Sequence, residues 1–171
     1  MKPTIIIHGL FAVMMLISCQ KSELAIEENK MPTGPSATTG SVNKSLMVQL
    51  VNDIRKKGCQ CGDTYYYPVP SIAWSNQLEA AAFTHSADMF ENDFFSHTAP
   101  DGSNGGIRIQ KAGYSWNTYG ENIASGYKSE SEVVKGWLES AGHCKNIMNK
   151  NFKEMGVARV GNYWTQEFGA K

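Results

Sequence analysis

Two β-prone runs, residues 155–160 and 163–168, stand back to back near the end of the chain with only Gly161-Asn162 between them. A two-residue connection of this kind closes an antiparallel hairpin, because glycine supplies the positive φ that such a turn needs. What precedes the hairpin has a different period. From Ser45 onward Leu46, Leu50 and Ile54 recur on one stripe with Met47 and Val51 beside it, and Gly58 stops the pattern, which predicts a first helix. Ser75 can cap a second helix with Leu78, Ala82, His85 and Met89 on one face, ending near Glu91. Ser129 and Glu132 have the spacing of a capping box, and Val133, Val134, Trp137 and Leu138 form the apolar face of a third. Residues 65–72 hold Pro68 and Pro70, which forbid a regular helix and favour an extended connection. Residues 98–106, rich in Gly, Ser and Asp, read as a long surface loop of the kind that often carries function. Helices early and paired strands late, with no βαβ rhythm and no internal repeat, predict an α+β domain over residues 44–171, a small antiparallel sheet covered by helices.

The chain begins with Lys2 and an apolar run from Ile5 to Ile17 broken only by His8 and Gly9, then Leu16-Ile17-Ser18-Cys19. The run rises to roughly 20 Å as a helix, short of the roughly 30 Å a membrane span must cross, so residues 1–18 read as a signal peptide. The stretch resembles a bacterial lipobox, in which the cysteine is acylated and becomes the mature N-terminus; Cys19 is then a lipid anchor to the membrane. Residues 19–43 are small and polar with Pro32, Gly34, Pro35 and Gly40, and carry too few large apolar groups to offset the entropy of ordering. They read as a flexible tether with an end-to-end distance of about 28 Å. The expected place is the bacterial cell envelope, facing the periplasm or the outside. Loss of the leader removes Lys2 from 16 basic residues against 16 acidic ones, so the mature chain is near neutral and its lysines are scattered. Nothing there neutralises phosphates, which argues against a nucleic-acid partner.

Four short motifs follow one another along the predicted elements: Phe94-Phe95-Ser96-His97, Gly120-Glu121-Asn122-Ile123-Ala124, Gly142-His143, and Met155-Gly156-Val157 with Tyr163-Trp164-Thr165-Gln166. In that order, over about residues 46–168, the chain resembles the CAP superfamily of cysteine-rich secretory, antigen 5 and pathogenesis-related proteins (the SCP domain), in its compact bacterial branch. The resemblance implies an α-β-α sandwich whose cleft holds two histidines and acidic residues, able in some members to bind a divalent metal. His97, Glu121 and His143 match that set. The fourth position does not: the residue three beyond Trp137 is Ser140, and Glu139 lies one helical step, about 100°, to the side. His97, Glu121, His143, Ser140 and Glu139 are therefore the candidate cleft residues, with His97, His143 and Glu121 a partial zinc site. Glu121 also has a structural role open to it, accepting backbone N–H groups to organise its loop. His85 shares a stripe with apolar residues and reads as a buried histidine that supports the cleft from behind.

Beyond Cys19 the chain has Cys59, Cys61 and Cys144. The pair separated by one residue leaves little chain for an internal bridge and is closer than usual zinc spacing, so a disulfide from Cys144 to Cys61, or second to Cys59, is expected. It closes a loop of about 85 residues, worth roughly 4 to 5 kcal/mol in the chain-entropy model. A catalytic Cys144 with His143 as its base is the sharper alternative, but adjacent residues project apart. Tyr65, Tyr66, Tyr67, Trp116, Tyr119 and Tyr127 are candidates to floor a groove for sugar or lipid, or to pack the core. No serine nucleophile elbow, phosphate loop or dinucleotide fingerprint is present. The expected function is a lipid-tethered binding module for a small apolar, lipid- or sterol-like molecule or an envelope protein, needing no cofactor. The alternatives are a metal-dependent hydrolase with Glu121 as general base for a metal-bound water, and a structural envelope protein without ligand.

Overall fold

The computed structural model describes residues 41–171. The expected leader, Cys19 and the tether up to residue 40 lie outside the described residues. The three long helices form where the periodicity places them. α1 (Lys44–Lys57) opens with the Asn43 side chain accepting the Leu46 N–H and stops at Gly58, whose φ is 76°. α2 (Asn76–Glu91) is capped by Ser75, which accepts from the Leu78 N–H. In α4 (Glu130–Glu139) Ser129 accepts the Glu132 N–H, while the Glu132 carboxylate reaches back to Lys128 N rather than to the cap residue itself. The terminal hairpin is also as expected: β5 (Glu154–Val160) and β6 (Tyr163–Ala170) pair antiparallel, with Val160 opposite Tyr163 and Gly161 at φ 56°.

Other elements carry no strong period of their own. β1 (Cys59–Cys61) and β2 (Thr64–Tyr66) make a separate small ribbon that overlaps the expected extended connection only at Tyr65 and Tyr66, and β3 (Ala73–Trp74) is two residues long. α3 (Gly105–Lys111) begins at the end of the expected surface loop, capped by Asn104, and α5 (Ala141–Ile147) follows α4 directly. β4 (Thr118–Ser125) is too polar to be read as a strand, and exists because β6 offers it a full ladder from Thr118 opposite Ala170 to Ser125 opposite Tyr163. The main sheet runs β3-β5-β6-β4. Its three long strands are antiparallel, and β3 joins β5 in parallel at one edge, so the sheet is mixed rather than wholly antiparallel.

Helices cover both faces, which completes the α-β-α layering. On one side α1, α4 and α5 bring Met47, Val51, Val133, Trp137 and Ile147 against Met155, Val157, Trp164 and Phe168. On the other, α2 lies so close that a side chain on Gly156 would run into the backbone of Leu78 and Glu79. Thr165 on β6 receives a hydrogen bond from Ser86 of α2 at 2.9 Å. Strand residues thus alternate between two buried faces. Because β4 is the outer strand, the loop after α2 on one face and α5 on the other both reach its free edge, bringing His97 and His143 toward Glu121.

Candidate functional site at the edge of β4

Glu121 projects from β4 toward α2 and α3. His97, on the loop after α2, places Nδ1 2.6 Å from Glu121 Oε1. Arg108 of α3 pairs with the other oxygen, Oε2, and its guanidinium also donates to the carbonyls of Ser103 and His97. His85 of α2, fully buried, lies 3.9 Å from Glu121 Oε1 and uses its Nε2 on the Ser96 carbonyl at 2.9 Å. Burial alone would raise the Glu121 carboxyl, but hydrogen bonds from His97 and Glu167 and the charge of Arg108 outweigh it and hold the group at about 2. Burial lowers His85, with the Glu121 charge opposing it in part, so its imidazole is neutral at pH 7.

The second carboxyl of this cluster is Glu167, which the antiparallel register sets directly opposite Glu121. It is fully buried, neither oxygen receives a hydrogen bond from an N–H, and the nearest cation atom, Arg108 Nε, is 4.0 Å away. Burial and the neighbouring Glu121 charge push Glu167 well above the usual carboxylate range. Both effects favour its protonated form beside the ionised Glu121. Gly105 is part of this packing, since a side chain there would meet oxygens of both glutamates at 3.4 Å.

His143 comes from the opposite face, in the first turn of α5. Its imidazole is lowered by burial and further by the charge of His97. An amide network holds α5 to the strand: Asn122 donates to Gln166 Oε1 at 3.0 Å and to the His143 carbonyl, and Asn146 donates to Asn122 Oδ1 at 2.9 Å and to the Glu121 carbonyl. Beside His143 is a cavity of about 330 Å³ lined by Phe95, Ile123, Tyr127, Trp137 and Ser140 among others. Ser140 is thus at the cavity wall. Glu139 is not: it faces solvent, 4.0 Å from Lys135 one turn earlier, because the helical step rotates it away. Of the aromatic candidates only Tyr127 lines this cavity. Tyr65 and Tyr67 are exposed and pack on each other, and Trp116 packs on Tyr119.

The arrangement tests the expected zinc site. Among the described residues, the donor atoms of His97, Glu121 and His143 do not all fall within 4.8 Å of one another, whereas those of Cys59, Cys61 and Cys144 do. Both Glu121 oxygens are already engaged, and a cation at that carboxylate would sit against the Arg108 guanidinium. As a three-donor site the set does not fit. Arg108 and Glu167 were missed in the sequence for different reasons. Arg108 lies on a seven-residue helix whose only local sign is Asn104 before Gly105-Gly106, and Glu167 follows Thr165 and Gln166 in a polar stretch of β6 with nothing to single it out.

The three sulfurs are placed as expected. Cys61 and Cys144 form the disulfide, with Cα atoms 5.4 Å apart, and Cys59 is free. The bridge ties the β1–β2 ribbon to α5, next to His143.

Residues 48–168 match the sequence model of the cysteine-rich secretory protein (CAP) family. The chain is 32% identical over 156 residues to the uncharacterised Bacillus subtilis protein YkwD, covering 90% of this chain and 57% of that one. It is 30% identical over 128 residues to the uncharacterised membrane protein YlbC of the same organism, covering 75% and 34%. The chain thus spans about half or less of the length of these relatives. Among solved structures it is similar to an extracellular SCP-domain protein of Bacillus anthracis, at TM-score 0.67 and 33% identity over 75% of this chain and 40% of that one. An outer surface protein of Borrelia burgdorferi shares the fold at TM-score 0.66 and 21% identity, over 79% of this chain and 98% of its own. Sequence match, layer order and motif placement agree, and the chain belongs to the cysteine-rich secretory protein family, the CAP (SCP-domain) proteins.

Proposed function

We propose that the protein is a cell-envelope binding module that holds a small apolar molecule at the edge of β4. The observation that carries this reading is the open groove of about 330 Å³, with Phe95, Ile123, Tyr127 and Trp137 as apolar wall and Ser125, Ser140 and His143 among its polar groups. The neighbouring Glu121 is a poor general base: a carboxylate held at about 2 takes up a proton only at strongly acidic pH. It orients His97 instead. An extracellular and an outer-surface protein among the similar structures support the envelope, and the tether from Cys19 would keep the domain at a membrane. No helix among the described residues is long and apolar enough to cross one. A fluorescent fatty acyl probe titrated into the domain should saturate with a 1:1 endpoint. Ser125→Trp, which fills the cavity mouth from an exposed strand position, should weaken binding at least tenfold with an unchanged melting temperature. Absence of saturable binding, or equal affinity in the variant, would sink the reading. The anchor is checked separately: Cys19→Ser should leave the domain in the soluble fraction of its host.

A metal-dependent hydrolase is the second reading, favoured by one feature, the lowering of the His143 imidazole by the nearby His97 in addition to burial. Zinc titration separates the two. Loss of calorimetric zinc binding in both His97→Ala and His143→Ala would support the hydrolase, and equal binding in wild type and variants would remove it.

A further inference from the structure

β1 is three residues long and has a cysteine at each end, so Cys59 and Cys61, two apart, project from the same face of the strand. Cys144 of α5 stands over that face. Its sulfur is bonded to Cys61, lies 3.5 Å from Cys59 Sγ, and is 3.7 Å from the carbonyl oxygen of Gln60 between them. Cys59 Sγ is 3.7 Å from Cys61 Sγ, so the free thiol touches both atoms of the disulfide. We propose that these residues form a thiol–disulfide exchange site in which Cys144 alternates its bridge between Cys61 and Cys59.

The step is self-contained. The Cys59 thiolate bonds to Cys144 Sγ, the Cys61–Cys144 bond breaks with its electron pair passing to Cys61, and the proton lost by Cys59 is taken up by Cys61 through solvent. One disulfide and one thiol are present before and after, so no oxidant or reductant is consumed. Chain entropy does not choose between the isomers, because the separations are 83 and 85 residues and closure cost varies only with the logarithm of loop length. The strand can accommodate the change. It pairs only with β2, outside the main sheet, and is flanked by Gly58 and Gly62, both at positive φ. Exchange moves the thiol from the half-exposed Cys59 to Cys61, which is 4% exposed. This site is separate from the β4 cavity, and its test does not depend on that reading.

The test maps disulfides in the oxidised protein after acid quench and peptic digestion without reduction, which stops exchange by protonating the thiol. Both bridged peptides, Cys61–Cys144 and Cys59–Cys144, should be recovered. Prior alkylation of the folded protein with iodoacetamide should modify Cys59 and drain the Cys59–Cys144 form as the isomers interconvert. A Cys61→Ser variant, made in a Cys19→Ser background so that only Cys59 and Cys144 remain, should bridge them and show no free thiol by colorimetric titration. Recovery of Cys61–Cys144 alone, a Cys59–Cys144 fraction that survives alkylation, or two free thiols in the folded variant would each overturn the proposal. If that variant does not fold, the wild-type map decides.

Discussion

Glu167 and Glu121 face each other across two paired strands, and their protonation links run in opposite directions. Glu121 is held at about 2, below its ordinary 4.5, so its contribution to stability is full above 4.5 and is lost as pH falls toward 2. Glu167 is raised well above 4.5 by burial and the Glu121 charge. Its relative contribution is full below 4.5 and is lost as pH rises through its folded-state value. Glutamine has the same shape, donates an N–H and never ionises. Glu167→Gln is therefore expected to gain melting temperature over wild type progressively as pH rises, with the smallest difference at pH 4.5 and below. Thermal melts at several pH values check this, and a constant difference would show that Glu167 does not carry the proton.

At the scale of elements, one side chain on α1 organises the far end of α5. Arg55 is fully buried with no anion beside it among the described residues, and its guanidinium donates to the carbonyls of Pro70, Ile147, Asn149 and Phe152. Burial lowers it from its ordinary value, yet it stays charged. It closes the C-terminal end of α5, whose last carbonyls have no partner within the helix. Arg55→Met fills much of the same space but leaves those carbonyls dry. A loss of at least about 3 kcal/mol is expected, since each buried unpaired group costs about 1 to 3. Chemical denaturation measures it. The contact of α2 with β5 has the opposite requirement, for nothing at all: Gly156→Ala puts a methyl into the backbone of α2, and a cost of about 3 kcal/mol or more is expected by the same measurement.

Over the whole molecule, the disulfide joins the ribbon before the sheet to the helix at the cavity wall. A loop of 83 residues corresponds to about 4 to 5 kcal/mol in the chain-entropy model. Cys144→Ser removes the partner of both Cys59 and Cys61 and should lose that amount in denaturant unfolding. With exchange available, Cys61→Ser should lose much less. Similar losses in both variants would mean that Cys59 cannot take over the bridge.

The sequence by itself determined the parts that carry a period or a local signal. Leu46, Leu50 and Ile54 mark α1, Ser75 and Ser129 cap α2 and α4, and Gly161-Asn162 turns the terminal hairpin, because these depend on neighbours within a few residues. The motif order carried the family, and with it His97, Glu121 and His143. Tertiary structure decided the rest. The polar β4 becomes a strand through pairing with β6, and α3 has meaning through Arg108, which reaches Glu121 from 13 residues away. Whether Glu121 is a free ligand or a neutralised anchor depends on Arg108 and Glu167, which share no local pattern with it. Burial and cross-strand register assign those partners, and neither quantity exists until the chain has folded.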